Sequence, residues 1–274
     1  MVFIHSLIAA LLVAQPPMPT NVALSLTSPQ DGLSIQPATT VVWEIRAELS
    51  DGDSMGLACI LVDLVQSPSN PAIFDIPPAA SVPTAMSGFS RPAGYSNPVP
   101  GNPSQSAYGG TQVGTTGAKN LAQIGGMQNT FGLAGTTMGT DTAVNGGIGQ
   151  QSGGQLIATG SFAAPCTHGS FSFSLANGVA NALENLGTGT NPSFVHSARV
   201  TLGPSIYFTI PACDSADFDG DGDTGTDLDI EAFFACLGGN CCPTCGDADF
   251  NNDCDTGNDS DIEAFFRILG GLPC

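Results

Sequence analysis

The stretch DFDGDGDTGTDLDIEAFF, residues 217–234, decides how the C-terminal part of this chain folds. Its first fifteen residues carry seven carboxylates, and the end of the stretch is apolar. Carboxylates at this density repel one another and favour a solvated chain. Nearly the same stretch, DFNNDCDTGNDSDIEAFF, returns at residues 249–266. The repetition indicates that a cation neutralises the carboxylates and allows the apolar residues to pack.

The two stretches belong to an internal repeat. Residues 217–239 align with residues 249–271 at a shift of 32 residues, and 16 of the 23 aligned positions are identical. A duplicated unit usually covers the apolar face of its twin, because neither copy can bury that face alone. In each copy we expect one helical face of apolar residues, ended by a Gly-Gly pair. These apolar residues are Ile230, Phe233, Phe234 and Leu237 in the first copy and Ile262, Phe265, Phe266 and Leu269 in the second.

Each loop offers the oxygen donors that calcium needs. Calcium takes six to eight oxygen ligands, and a calcium loop supplies them from alternate positions, with a glycine at the sixth. Gly222 is that glycine in the first copy, whereas Cys254 replaces it in the second, which predicts a strained or weaker site. The closing carboxylate fits the first loop if the loop carries one extra residue. The predicted ligands are Asp217, Asp219, Asp221, the carbonyl of Asp223 and Asp229 in the first copy, and Asn251, Asp249, Asp253, the carbonyl of Asp255 and Asp261 in the second.

We therefore predict two calcium ions, whose binding supplies the free energy that the bare acidic loops lack. A solvated acidic loop without metal is the alternative. A pair of calcium loops, each followed by one helix and with no leading helix, resembles the dockerin domain. The resemblance covers residues 213–274 and is similar to the variant with cysteine-rich ends that anchors secreted bacterial proteins.

The resemblance implies a protein partner. Dockerins bind cohesins, which are sandwich modules, through one exposed helix face and the residues just before the last calcium ligand. By position, those residues are Asp227 and Leu228 in the first copy and Asp259 and Ser260 in the second. The family more often has small hydroxyl residues there. The implied partner is therefore an unusual cohesin-like receptor or another surface component.

Charge excludes several other partners. The chain of 274 residues has 24 acids and 5 bases, and the part after Cys213 contributes −14 of the net −19, with Arg267 as its only base. Nucleic acids and anionic lipids need Lys and Arg, so we do not expect either to bind. A carbohydrate ligand is compatible with the composition but has no support in the sequence.

The start of the chain and its cysteines predict export. Residues 7–14 form an apolar run that is too short to span a bilayer, and residues 1–14 resemble a secretory signal peptide, although no Lys or Arg precedes the run. A buried strand is the alternative. Seven of the nine cysteines lie in the tail, a density typical of an oxidising compartment. We therefore expect a secreted or cell-surface protein, soluble or attached through a partner.

The cysteines predict disulfides rather than zinc, because the single Cys-x-x-Cys, Cys242 and Cys245, lacks a second ligand pair at suitable spacing. The 32-residue shift equates Cys213 with Cys245 and Cys242 with Cys274. Two symmetric pairings remain open: 213 with 242 and 245 with 274, or 213 with 274 and 242 with 245. The first is preferred, because each bridge would then clasp the loop and helix of one copy.

Two further pairs complete the predicted pattern. Cys236 and Cys241 lie five residues apart across the Gly-Gly helix end, and Cys59 is paired with Cys166 in the front part of the chain. This arrangement leaves Cys254 as the odd thiol.

Residues 21–210 are predicted to form an antiparallel β-sandwich. Apolar and polar residues alternate with period two in residues 21–28 and 42–49, and again around Phe171 and Phe208. Residues 177–186 are expected to form a short helix. Residues 77–155, rich in Gly, Ser, Thr, Asn, Gln and Pro, are expected to be a functional insertion or partly disordered.

The front domain shows no recognisable catalytic motif. Cys166 and His168 could act as nucleophile and base, but a disulfide at Cys166 is preferred. A glycosidase needs two opposed carboxylates, and nothing singles out a pair. The acids available for such a pair are Asp63, Asp75, Asp141 and Glu184.

We therefore expect a non-catalytic protein that is displayed through a calcium-dependent docking tail. Two alternatives remain open. One is a dockerin-bearing polysaccharide hydrolase with an unrecognised catalytic domain, and the other is an adhesive or structural surface component in which residues 77–155 make the contacts.

Overall fold

Two β-sheets pack face to face, and two helices follow them in a computed structural model of the chain. The structure describes residues 20–50, 54–67, 74–86, 89–90, 108–128, 152–184 and 195–274. The predicted signal peptide, residues 1–14, lies outside the described residues. The strands are β1 (Asn21–Thr27), β2 (Thr40–Leu49), β3 (Ser54–Gln66), β4 (Phe89–Ser90), β5 (Thr111–Thr115), β6 (Ala118–Gln128), β7 (Gln155–Ala163), β8 (Gly169–Glu184), β9 (Val195–Ser197), β10 (Arg199–Leu202) and β11 (Ile206–Ile210). The helices are α1 (Asp227–Leu237) and α2 (Asp259–Leu269), and a short 3-10 turn spans Thr84–Met86.

The strand order confirms the predicted β-sandwich. One sheet has the order β10-β1-β2-β7, and the other has the order β11-β8-β3-β6-β4, with β5 beside β6 and β9 beside β8. The paired strands are antiparallel except β1 and β10, which run parallel with Val22 opposite Val200. The sandwich is therefore mainly, rather than entirely, antiparallel.

Alternating side chains build the core between the sheets. β1 and β2 bury every second residue, as their period-two patterns predict. Trp43 in β2 is fully buried and lies directly over Gly160 of the neighbouring strand β7, where a side chain would collide with the indole ring. Phe171 and Phe208 stack across β8 and β11 with ring centroids 5.5 Å apart. Full burial of each such side chain contributes roughly 1.5–3 kcal/mol.

The helix expected at residues 177–186 is wrong, because β8 continues through Glu184. Ala180 lies opposite Ile60 and Ala182 lies opposite Leu57, and both alanines are buried. β8 pairs with β3 as far as Glu184, and this pairing overrides the helix preference of the small residues in β8.

The described parts of residues 77–155 are not a single long loop. They include β4, β5 and β6, and Tyr108, Leu121 and Ile124 join the sandwich core. Gly125 lies directly against the carbonyl of Ile60, where a side chain would not fit. Some of the glycine in this region therefore marks close strand packing rather than a flexible linker.

The tail has a core of its own and is tied to the sandwich. The tail core is centred on four buried phenylalanines and is distinct from the sandwich core. Cys166, just after β7, forms a disulfide with Cys254 in the second acidic loop. Gln36 Nε2 donates a hydrogen bond to Asp214 Oδ1 at 2.8 Å beside this tie. No helix among the described residues is both long and apolar enough to cross a bilayer.

Candidate metal centre and docking face

Three carboxylates converge in the first acidic loop. Oxygen atoms of Asp217, Asp219 and Asp229 all lie within 4.8 Å of one another. Calcium–oxygen distances are about 2.3–2.6 Å, so two ligands of one ion lie at most about 5 Å apart. Three hard oxygen donors at these separations fit one calcium ion, whereas zinc prefers sulfur and nitrogen ligands.

Asp229 also holds the start of α1 in place. Its Oδ1 accepts a hydrogen bond from Phe218 N at 2.7 Å, and its Oδ2 accepts one from Thr226 N at 2.7 Å. Thr226 is the N-cap of α1, so the two residues form a capping box. The Thr-x-x-Asp spacing of Thr226 and Asp229 is the sequence signal for this cap, in addition to the predicted metal ligand.

The charge of the buried Asp229 is stabilised by these donors. Burial raises the pKa of Asp229, but hydrogen bonds from Thr226, Asp219 and Phe218 outweigh this effect and leave it below its ordinary value. The side chain is fully buried and is aimed at the converging carboxylates. An ionised carboxylate in this position is what a calcium loop needs to close.

Asp221 and Asp223 are not part of the converging cluster. Both are exposed, and each donates its backbone N–H to the carboxylate two residues before it, at 3.1 Å to Asp219 and at 2.8 Å to Asp221. Gly222 N–H points at the Asp217 carboxylate at 3.2 Å, with a φ of +94°. The structure thus brings together three of the four carboxylates predicted as ligands in the first copy.

The second loop repeats this arrangement with different residues. Asp249 and Asp261 are buried at the positions of Asp217 and Asp229, and Asn251 takes the position of Asp219. Asp261 Oδ2 accepts a hydrogen bond from Asn258 N, the N-cap of α2, at 2.8 Å. Asn251 Nδ2 donates to Asp253 Oδ2 at 3.0 Å, while Asp255 is exposed.

The charge of Asp249 is less well stabilised than that of Asp229. Burial raises the pKa of Asp249, and the charges of Asp247 and Asp261 add to this, against hydrogen bonds from Cys254 and Asp253. A cation beside Asp249 would reduce the repulsion between these carboxylates.

The loop backbones agree position by position. The φ angle is +74° at Gly220 and +56° at its equivalent Asn252, and it is +94° at Gly222 and +67° at Cys254. A side chain in this left-handed region costs about 1–2 kcal/mol, which Gly avoids. Cys254 therefore occupies a backbone position that suits glycine.

Each copy completes the other. Asp214 N donates to Phe250 O at 3.0 Å, and Gly246 N, its equivalent under the 32-residue shift, donates to Phe218 O at 3.0 Å. Leu269 of α2 packs over Gly225 of the first loop, as Leu237 of α1 packs over Gly257 of the second. These reciprocal contacts relate the two copies by an approximate twofold axis.

Only one phenylalanine of each Phe-Phe pair enters the core. Phe233 and Phe265 are fully buried and stack with ring centroids 4.1 Å apart. Phe234 and Phe266 are each 46% exposed. Each Phe-Phe pair therefore packs against its twin, as expected, but the outer two rings, of Phe234 and Phe266, meet at the surface with centroids 6.2 Å apart.

The structure changes the predicted disulfide pattern. All nine cysteines lie in the described residues, and Cys236 pairs with Cys241, as predicted. Cys213 pairs with Cys274 and Cys242 with Cys245, which is the less favoured of the two symmetric pairings.

The pair between Cys59 and Cys166 is wrong. Cys166 bonds to Cys254, and Cys59 is a buried free thiol on β3. Cys59 lies within a central strand of the sheet, whereas Cys166 follows β7 near the tail. Cys166 is therefore not available as a nucleophile for His168.

The four predicted partner-binding residues are exposed. Asp227 and Leu228 lie in the first turn of α1, and Asp259 and Ser260 lie in the first turn of α2. Leu228 is 58% exposed, a large apolar side chain in an otherwise acidic turn.

The acids of the sandwich have structural partners. Asp63 accepts hydrogen bonds from Gln123 N and Asn177 Nδ2, each at 2.7 Å, and Asp75 accepts one from Lys119 N at 2.9 Å. Asp141 lies outside the described residues, as does the side chain of Glu184. Asp63 and Asp75 therefore hold backbone and side-chain groups of neighbouring strands in place.

No protein-family profile matches the chain, and a search of curated proteins finds no match. Among solved structures, the sandwich part is similar to the seventh type I cohesin of ScaB from Pseudobacteroides cellulosolvens, with 14% identity, a TM-score of 0.35 and coverage of 71% of this chain and 94% of that chain. The Coh-OlpC-Doc435 complex, a type I cohesin–dockerin complex from Clostridium thermocellum, has 10% identity, a TM-score of 0.33 and coverage of 72% and 98%. The complex of CaDoc0917 with CaCohA2 has 12% identity, a TM-score of 0.30 and coverage of 69% and 99%. At these identities and TM-scores, the similarities assign neither a family nor a function to this chain.

Proposed function

We propose that this chain is a secreted or cell-surface, non-catalytic protein whose residues 213–274 form a dockerin-like module. In this proposal the module binds two calcium ions and docks the β-sandwich to a protein partner. The observation that carries the proposal is the convergence of Asp217, Asp219 and Asp229 at the start of α1.

Bound calcium would neutralise the converging carboxylates and so favour the closed loops. The chain's own residues then link loop closure to helix formation, because Asp229 and Asp261 belong at once to a loop and to a helix cap. Leu269 and Leu237 rest on the loops of the opposite copy. Ordering of one loop should therefore stabilise the helix of the other copy as well.

The exposed helix starts support a docking role, because Asp227, Leu228, Asp259 and Ser260 are all exposed and therefore accessible to a partner. A cohesin-like receptor or another surface protein would be the partner. The hydrogen bonds of Asp63 and Asp75 and the disulfide of Cys166 weaken the case for a hydrolase, since each of these candidates has a structural use.

The test is calcium titration of the full chain by calorimetry, combined with pull-down from secreted and envelope fractions with and without chelator. We expect two calcium ions per chain and a partner that is retained only with calcium. Asp229→Asn should abolish the first site, whereas Asp227→Asn, at an exposed position of the same turn, should leave both sites intact. A chain that binds no calcium, or one that Asp229→Asn leaves unaffected, would refute the proposal.

A further inference from the structure

An aromatic patch spans both helices of the tail. The rings of Phe234 and Phe266 lie 6.2 Å apart, and each side chain is 46% exposed. Each packs against a buried ring of its own helix. The ring centroids are 5.7 Å apart for Phe234 and Phe233, and 5.6 Å apart for Phe266 and Phe265. Equal exposure and equal support place the pair on the approximate twofold axis between the two copies. We call these two side chains the Phe234–Phe266 patch.

The fold does not need these rings to be exposed to water. The core of the tail is already filled by Phe218, Phe233, Phe250 and Phe265, each at most 1% exposed. Exposed apolar residues that occur singly need no explanation, whereas contiguous aromatic residues on a surface mark interaction sites. Aromatic side chains are also enriched among the residues that carry most of the binding energy at protein interfaces.

Exposed acidic residues form a rim beside the Phe234–Phe266 patch on both helices. Asp227 and Glu231 precede Phe234 by seven and three residues and so share its face of α1, and Asp259 and Glu263 do the same for Phe266 on α2. All four acids are exposed. Arg267, the only base of the tail, is ion-paired with Glu263 at 3.7 Å. The rim is therefore negative on both helices and more strongly so around Phe234.

The negative charge of the rim determines which kind of partner fits the patch. Two copies of this chain would bring four acids against four acids, and an anionic membrane would meet the same repulsion. A protein surface with Lys or Arg beside an apolar face is complementary in both charge and polarity.

We propose that the partner docks across both copies at once, on the Phe234–Phe266 patch, and that it presents an apolar face flanked by Lys and Arg. This proposal rests on the proposed docking function and names the surface and the partner chemistry for it. It differs from the docking mode implied by the resemblance, in which the helix face of one copy makes the contact. Since the patch needs both helices, one partner binds per chain, and loss of either phenylalanine disrupts binding.

The experiment uses the calcium-loaded full chain and a defined probe, a fluorescent amphipathic helical peptide with a leucine face and a lysine face. We expect saturable binding at one site, weakened by salt, and about 30-fold weaker binding for both Phe234→Ser and Phe266→Ser. The matched control is Tyr207→Ser, which removes a 58% exposed aromatic side chain of the sandwich and should leave binding unchanged. A peptide with glutamate in place of lysine should not bind.

Charge variants keep the test decisive if a serine variant fails to fold. Glu231→Lys, on the rim, should weaken peptide binding, whereas Glu48→Lys, an exposed acid of the sandwich, should not. Binding that is indifferent to either phenylalanine, or that depends on one copy alone, overturns the proposal, as does a chain that dimerises through the patch in sedimentation. The chain could bind no calcium and still bind the peptide through both phenylalanines. That result would support the patch proposal and refute the calcium-dependent docking function.

Discussion

At the scale of single residues, Asp229 is both part of the cap of α1 and a member of the converging carboxylates. Its carboxylate accepts hydrogen bonds from two segments, the loop at Phe218 and the helix start at Thr226. The alternation of acids in the sequence predicted that Asp217, Asp219 and Asp229 lie close together, and their oxygen atoms converge. The cap was missed, although Thr226 and Asp229 have the spacing of a capping box.

Without calcium, Asp229→Asn should reduce the stability of the tail by about 1–2 kcal/mol, because one oxygen that accepts from Thr226 becomes a donor. The pKa of Asp229 is lowered in the folded state, so its contribution is present above the unfolded pKa of about 3.9 and is lost as pH falls through the folded value. The difference between variant and wild type should therefore shrink below about pH 4. Denaturant unfolding in chelator at several pH values measures this difference. Asp227→Asn is the control, and a difference that grows in acid would contradict the argument.

Cys254 adopts a left-handed backbone conformation that costs free energy, and it also forms the disulfide with Cys166. With the disulfide removed by Cys166→Ser, Cys254→Gly should be more stable than Cys254→Ser by about 1 kcal/mol, because only glycine adopts a φ of +67° without strain. Calorimetry of the two double variants should also show tighter calcium binding at the second site for the glycine variant. Equal stability and equal affinity would mean that the loop tolerates a side chain there.

The sequence did not reveal that Cys59 is a free thiol. That outcome depends on where the fold places Cys166, which bonds to Cys254 instead. Burial raises the pKa of Cys59 to about 11, so little reactive thiolate exists at neutral pH. A thiol reagent at pH 8 should label no cysteine of the native, oxidised chain and one cysteine, Cys59, after unfolding. Rapid native labelling, or a second labelled cysteine after unfolding, would show that the disulfide pattern is different.

At the scale of elements, the repeat was predictable and one strand was not. The two loops and helices followed from sequence identity and apolar spacing, and these are local properties. Residues 177–186 contain small residues with good helix preference, and only pairing with β3 makes them a strand. β6 was hidden for a related reason, since the close approach of the Ile60 carbonyl, which requires glycine at position 125, is not visible in the sequence.

The two helices should depend on each other through Phe233 and Phe265. Phe233→Ala should destabilise the tail by about 3–5 kcal/mol, since it leaves a cavity against the stacked ring of Phe265. Phe234→Ala, the half-exposed neighbour, should cost about 1 kcal/mol or less. Far-UV circular dichroism during thermal unfolding should show both helices melting together at a lower temperature in Phe233→Ala. Loss of one helix alone would show that the copies fold independently.

At the scale of the whole molecule, the tail is held against one end of the sandwich. The disulfide between Cys166 and Cys254 joins residues 88 positions apart, and Asn252 Nδ2 donates to Pro211 O at 3.2 Å beside it. The 32-residue symmetry governs pairs inside the repeat, but it contains no information about the sandwich. The cysteines that link the two parts therefore could not be paired from the sequence.

Cys166→Ser together with Cys254→Ser should free the tail from its fixed orientation without unfolding it. Three disulfides and the phenylalanine core remain in the tail, while the hydrogen bonds from Gln36 to Asp214 and from Asn252 to Pro211 stay in place at the junction. Hydrogen bonds of this kind contribute only about 1 kcal/mol each, which does not hold two bodies rigidly together.

Small-angle X-ray scattering should show a larger maximum dimension for this double variant, and limited proteolysis should cut faster near residues 211–214. Loss of the closed loop should also lower stability by up to about 4–5 kcal/mol. The control is Cys242→Ser with Cys245→Ser, which removes a disulfide inside the tail and should leave the scattering profile unchanged. An unchanged profile in Cys166→Ser with Cys254→Ser would mean that noncovalent contacts alone fix the tail, and that the presentation of the Phe234–Phe266 patch does not depend on the redox state of this bond.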